Sequence, residues 1–216
     1  MREIYHEQLD DILVELERMT RTVSAAVRRS TSALLTADLK MAEQVIASDV
    51  RLDVSGELVE EKVFDLMARQ APVANELRTL IAALRMVADL ERMGDLAAHI
   101  SKVARMRYPA DAIPIELRGV IADMGRVAER MVNQAGDVIQ TRDVQVAHRM
   151  ESTDDEMDTL RRNQFRLMMD DAWPHSVEVA VDIALLGRYY ERIADHAVSM
   201  ARSVVFLVTG ELPTPQ

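Results

Sequence analysis

Pairs of carboxylates spaced four residues apart are the residues of this sequence whose types and spacing point most directly to chemistry. Glu91 and Asp95 form one pair in a Glu-Arg-x-x-Asp motif, and Glu191 and Asp195 form another in a second copy of that motif. On a helix, residues four apart lie on one face, where like charges destabilise the helix by about 0.2–0.5 kcal/mol. A repulsion that recurs in both copies points to a compensating partner, and a bound cation is the simplest one.

Two further acidic pairs have the same spacing: Asp49 with Asp53, and Asp154 with Asp158. These two pairs occupy equivalent positions in the two repeats. They lie upstream of the two motifs, so that each repeat holds two pairs that converge if their helices are neighbours. Clustered carboxylates without cysteine suit iron, zinc or manganese, and oxygen ligands alone do not distinguish these ions from magnesium or calcium. The predicted metal ligands are Asp49, Asp53, Glu91, Asp95, Asp154, Asp158, Glu191 and Asp195.

The alternative interpretation is that these acids are solvated surface charges offset by nearby arginines, since acidic surfaces are common. A buried two-metal bundle would need paired Glu-x-x-His sequences, and Glu3 with His6 provides a single one at the start of the chain. A carboxylate metal-handling bundle and a metal-free structural adaptor therefore remain the alternatives. His99 and His196 lie near the acidic pairs, where we expect surface histidines bonded to partners.

The composition favours an all-α protein. Aromatic residues make up 4% of the 216 residues, with 7 Gly and 6 Pro, and the frequent residues Ala, Leu, Met, Arg and Glu favour helices. A net charge of −10 argues against binding to nucleic acid. The chain has no cysteine, no apolar run long enough for membrane insertion and no nucleophile or nucleotide motif, so we expect a cytoplasmic protein that is not an enzyme.

Apolar residues recur at intervals of three and four in six segments, which predicts six long antiparallel helices. The first, third, fourth and sixth segments span about residues 5–35, 73–106, 115–139 and 176–208. The second segment ends at the break Gln70-Ala71-Pro72, and the fifth ends at Ala172-Trp173-Pro174. Pro109 and Pro114 mark the linker, while Thr36-Ala37-Asp38 and its repeat Thr141-Arg142-Asp143 offer N-capping oxygens for the second and fifth helices. We predict two tandem three-helix bundles, with domains 1–108 and 109–216.

The periodicity also predicts where the acidic motifs point. In the sixth helix, Glu191 and Asp195 lie opposite the apolar stripe and so are expected to face outward, away from the core of their own bundle. In the third helix, Leu77 and Leu84 belong to a second apolar face that Glu91 and Asp95 continue. A helix that is apolar on two sides is expected to pack against the other repeat or a second subunit.

The two motif segments, ELRTLIAALRMVADLERMGDLAAHI and YYERIADHAVSMA, resemble the PhoU family of phosphate-signalling regulators. The resemblance implies a cytoplasmic adaptor that represses the phosphate-starvation response by contacting the ATPase subunit of the phosphate ABC transporter and a sensor histidine kinase. It also implies a homodimer and a metal site at the acidic motif of each repeat. The sequence departs from the family pattern at Asn75, where many members have Asp, and at Val177-Glu178, which replace Leu77-Arg78 of the first repeat.

Overall fold

The computed structural model describes residues 2–70, 72–171 and 173–211, with the side chains of 2–4, 70 and 151–154 left out. Within these residues all regular structure is helical, which confirms the predicted all-α class. The six helices are α1 (Arg2–Thr36), α2 (Leu39–Gln70), α3 (Asn75–Arg107), α4 (Arg118–Thr141), α5 (Val144–Met168) and α6 (Val177–Thr209).

The helices form two sets of three that share a central layer. α1, α2 and α3 pack against one another, as do α4, α5 and α6, while α1 also packs against α4 and α3 against α6. In the described residues α2 and α5 contact only helices of their own set, so they flank a central layer of four helices. α3 contacts the other helix set through α6, as expected for a helix that is apolar on two sides. The domain boundary at residues 108 and 109 stays a prediction.

Side-chain caps place several helix starts where the sequence predicts them. Asp38 accepts a hydrogen bond from the backbone N–H of Met41 at 2.9 Å, and Asp143 caps α5 by accepting from two backbone N–H groups. The fourth helix begins three residues later than the predicted residue 115. The backbone N–H of Leu117 instead bonds to the carbonyl of Pro114 at 3.0 Å in a turn, which buries Leu117 and leaves Ile115 exposed.

Polar contacts join the two helix sets at the ends of the central layer. The guanidinium of Arg107, at the end of α3, donates to Asp182 at 2.5 Å and to Glu178 at 2.6 Å, both in the first turns of α6. Asp182 is 7% exposed, so its charge depends on this partner. None of the helices described is long and apolar enough to cross a membrane.

We expect Arg107→Ala to lower the free energy of unfolding by about 2 kcal/mol, because it leaves the Asp182 carboxylate buried without its counter-charge. Urea denaturation followed by circular dichroism measures this loss. Arg105→Ala is the matched control, since Arg105 is exposed on the same turn of α3, and it should change stability by less than about 0.5 kcal/mol. Equal effects of the two variants would show that Arg107 does not hold the helix sets together.

Candidate functional site

Acidic side chains of α2 and α3 converge along the groove between these helices. We call this row the first acidic cluster: Asp49, Asp53, Glu57 and Glu60 of α2 with Glu91 and Asp95 of α3. The Asp49 carboxyl lies close enough to Asp95 and Asp53 for their charges to raise its pKa, and Glu91 is similarly affected by four neighbouring carboxylates. The structure thus brings together the four acids predicted in the first repeat.

A glycine makes room for Glu91 in this groove. Gly56 is buried on α2, and a Cβ atom added there would overlap Oε1 of Glu91. Glu91 therefore lies against α2 within its own helix set, whereas the apolar face that it continues was expected to meet the other repeat or a second subunit. The third helix has neighbours on several sides, and for that reason the face opposite one apolar stripe is not free.

Burial and neighbouring negative charges raise the pKa of two carboxyls of this cluster. Burial raises the pKa of Asp49 to about 6, with Asp95 and then Asp53 adding to the effect and Lys102 opposing it. Burial also raises the pKa of Glu91, with Glu60 and Asp53 as the largest charge contributions. On the exposed side, Arg92 donates to Asp95 at 3.1 Å. The ionised cluster holds repulsion that protons or a cation would relieve.

The second repeat is built differently at the corresponding place. Glu191 of α6 is 13% exposed and faces α5, where Arg161 pairs with its Oε1 atom. Arg188 donates to Oε2 of the same carboxylate at 2.6 Å. Both oxygens of Glu191 are therefore held by arginines, and the outward orientation predicted for this residue is wrong.

The other acids of the second repeat do not form a row like that of the first. Burial and the charge of Glu191 raise the pKa of Asp195, against the opposing charge of Arg188. Asp158 is exposed and lines a separate surface cleft with Arg161 and Arg162. Asp154, the eighth predicted ligand, has a side chain outside the described part of the structure.

One aligned position accounts for much of this difference. At the spacing that relates Asp53 to Asp158, Gly56 of the first repeat aligns with Arg161 of the second. Where the glycine leaves space beside Glu91, the arginine fills it and neutralises Glu191. The alignment of the repeats contains this signal, but only the packing of α5 against α6 shows what it does.

Sequence reasoning also missed Glu60. The predicted ligands of the second helix end at Asp53, but Glu60 gives the largest charge contribution at Glu91. A signal was available, since Glu60 follows Glu57 by three residues and so shares its face.

The two histidines near the motifs bind protein groups. His196 Nδ1 lies 2.9 Å from Asp89 Oδ1 and links α6 to α3, as expected for a partner-bonded histidine. The ring of His99 lies 5.5 Å from the ring of Tyr189. Across the described residues, no three His, Asp or Glu side chains are already arranged to hold a metal ion. Metal binding in the first acidic cluster would require its carboxylates to change rotamer.

Comparisons with known proteins all lead to one family. A family model described as the PhoU domain matches residues 16–104 and 121–204. Phosphate-specific transport system accessory protein PhoU homolog 2 of Mycobacterium tuberculosis is 46% identical over 99% of this chain and 100% of that relative. PhoU homolog 1 of Mycobacterium leprae is also 46% identical, over 99% of this chain and 96% of that relative.

Solved structures show the same fold. The crystal structure of PhoU from Pseudomonas aeruginosa superimposes with a TM-score of 0.84 at 27% identity, covering 96% of this chain and 100% of that one. The phosphate transport system regulatory protein PhoU from Streptococcus pneumoniae gives a TM-score of 0.83 at 23% identity, covering 98% of this chain and 100% of that one. The six-helix arrangement is therefore shared by these proteins.

We expect Asp49→Asn, in the presence of a chelator, to raise the free energy of unfolding at pH 7 by about 1 kcal/mol, a value reduced for solvent screening of a partly exposed carboxylate. The folded pKa of about 6 exceeds the unfolded value of about 3.9. The folded state therefore binds more protons between about pH 4 and pH 6, and ionised Asp49 destabilises the fold above that range.

Urea denaturation at about pH 7 and about pH 4 tests the sign, since the gain should disappear at the lower pH, below the raised pKa of Asp49. Asp11→Asn, on the exposed surface of α1, is the control and should have little effect at either pH. A loss of stability in Asp49→Asn at pH 7 would contradict the assignment of repulsion to this site.

Proposed function

Because the chain belongs to the PhoU family, we propose that it is an accessory regulator of phosphate transport. It acts as a cytoplasmic adaptor that represses the phosphate-starvation response when phosphate is plentiful. The observation that carries this proposal is the 46% sequence identity with the mycobacterial accessory proteins over 99% of this chain. Its partners are the ATPase subunit of the phosphate ABC transporter and the sensor histidine kinase, and its role is to bind them rather than to catalyse a reaction.

The surface of α2 supports a role in protein binding. Val50, Val54 and Leu58 form an apolar stripe along this helix, with exposed fractions of 64%, 49% and 54%. The stripe is next to the first acidic cluster on the same helix. On α6, Val177, Val181 and Leu185 form another exposed stripe. Exposed apolar patches of this kind are typical of protein interfaces, and two of them suit an adaptor that also forms a homodimer.

We further propose that the first acidic cluster binds iron, zinc or manganese, with magnesium or calcium also compatible with its oxygen ligands. Glu91, Asp49, Asp53 and Asp95 would hold the ion, which would supply the positive charge that their mutual repulsion calls for. Glu91, Asp49 and Asp53 make no ion pair among the described side chains, so they are available as ligands. A metal bound there would lie next to the exposed apolar stripe of α2.

The second repeat does not fit a metal in the arrangement shown. Arg161 and Arg188 occupy the oxygens of Glu191, and a cation there would first have to displace them. The metal-free adaptor thus remains a specific alternative for this half of the protein. A metal-storage bundle has no comparable support, because the sequence lacks paired Glu-x-x-His sequences.

We expect chelator-treated protein to bind added iron, zinc or manganese at the first acidic cluster, and Glu91→Gln to weaken that binding about tenfold or more by removing one ligand. Calorimetric titration and elemental analysis measure affinity and stoichiometry. Glu61→Gln, an exposed acid on α2 outside the row, is the matched control. Protein that stays metal-free with all three ions, or equal binding by the two variants, would exclude this site.

We expect Arg161→Gly, which copies Gly56 of the first repeat, to increase the number of ions bound per chain by freeing Oε1 of Glu191, while Arg188 still pairs with Oε2. Arg162→Gly is the control, because it carries the same helix cost of about 1 kcal/mol and Arg162 donates to Thr159 at 3.2 Å rather than to Glu191. An unchanged stoichiometry in Arg161→Gly would show that Arg161 is not what distinguishes the two repeats.

Deletion of the gene should raise expression of phosphate-starvation genes in phosphate-rich medium, and the wild-type gene should restore repression. The double variant Val54→Asp and Leu58→Asp should fold but fail to restore it, since charges on the apolar stripe oppose burial in an interface. Val14→Asp, at an exposed position of α1, should restore repression. Unchanged expression after deletion would contradict the regulatory role, whatever the metal experiments show.

A further inference from the structure

The packing of α3 against α6 leaves a cleft of about 390 Å³ that is lined by residues of both Glu-Arg-x-x-Asp motifs. Three of its lining residues are arginines: Arg92 from α3, and Arg188 and Arg192 from α6. Asp95 is the single acidic residue of the lining. In a chain with a net charge of −10, this cleft is a local reversal of sign, and such a cleft concentrates anions.

The arginines retain most of their hydrogen-bonding capacity. Arg92 is paired with Asp95 at 3.1 Å, with its side chain 66% exposed, and Arg188 is paired with Glu191 at 2.6 Å, with its side chain 49% exposed. Arg192 lies near Asp195, where its charge helps to lower the pKa of that carboxyl, but it forms no hydrogen bond or ion pair within the described residues. Each guanidinium carries five N–H donors, so most of them are free to bind a ligand.

The cleft exists because the two motifs meet. Arg92 and Arg192 occupy the same position of the two motif copies, and the contact between α3 and α6 brings both into one cleft. His99 and Tyr189, whose rings lie 5.5 Å apart, line the same cleft. Neither repeat alone contains this arrangement.

We propose that this cleft binds a tetrahedral oxyanion of the phosphate class. Guanidinium groups pair with phosphate through parallel N–H···O bonds, and three of them offer more donors than the two oxygens of a carboxylate accept. The anion is either free inorganic phosphate or the phosphate group of a nucleotide, and the cleft volume accommodates both. Bound between α3 and α6, it bridges the two repeats.

The cleft adjoins the proposed metal site and shares one residue with it. Asp95 belongs to the first acidic cluster and also lines the cleft, where it reduces the positive charge. The binding test therefore uses metal-free protein in the presence of a chelator, so that failure of the metal proposal does not affect its outcome.

The test is calorimetric titration of the full-length protein with inorganic phosphate and, separately, with ADP. The double variant Arg92→Gln and Arg192→Gln should bind whichever of the two ligands the wild type binds about tenfold or more weakly, as expected for the loss of charge-assisted hydrogen bonds. The matched control is Arg18→Gln, because Arg18 is an exposed arginine of α1 that also pairs with a carboxylate three residues away. Circular dichroism checks that each variant keeps the helical fold.

Saturable binding of phosphate alone identifies the free ion as the ligand, and binding of ADP alone identifies a nucleotide phosphate group. Either result supports the proposal if the double variant loses affinity and Arg18→Gln keeps it. Absence of saturable binding of both ligands to the wild type would overturn the proposal. Equal losses of affinity in the double variant and in Arg18→Gln would also overturn it, because the effect would then come from the overall charge of the protein and not from the cleft.

Discussion

The requirement that α3 and α6 bury several faces at once governs the rest of this structure. α3 packs against α1, α2 and α6, while α6 packs against α4, α5 and α3. Successive residues of a helix point about 100° apart, so neighbours in the Glu-Arg-x-x-Asp motif enter different environments. Glu91 enters the groove beside α2, and Arg92 enters the cleft between α3 and α6. One short motif therefore supplies acids to one place and arginines to another.

The two repeats share a backbone arrangement but differ in the chemistry of their acidic grooves. In the first repeat Gly56 leaves Glu91 among other carboxylates, and burial and repulsion raise its pKa. In the second, Arg161 supplies a positive charge directly to Glu191. An arginine that is part of the chain neutralises a carboxylate permanently, whereas a bound ion does so only when it is available. The second repeat thus carries this neutralising charge within the chain, and the first repeat does not.

Much of the fold could be predicted from local patterns, because helix periodicity and capping are short-range effects. The all-α class, the caps at Asp38 and Asp143 and the pairing of acids at Asp49, Asp53, Glu91 and Asp95 all follow from spacing along one chain segment. The orientation of Glu191 could not be predicted in this way. Its apolar stripe identifies the most buried side of α6, but a helix with three neighbours buries other sides as well, and periodicity does not rank them.

Six helices in two related sets, with acids at matching positions, are predictable from the chain alone, since these properties depend on residue type and spacing. The tertiary structure decided which charges meet. Only the packing of α2 on α3 and of α5 on α6 shows that Gly56 opens one groove and Arg161 closes the other, and only the contact of α3 with α6 gathers Arg92, Arg188 and Arg192 into one cleft. Electrostatic interactions depend on distance in space, and distances between residues far apart in sequence are set by the fold.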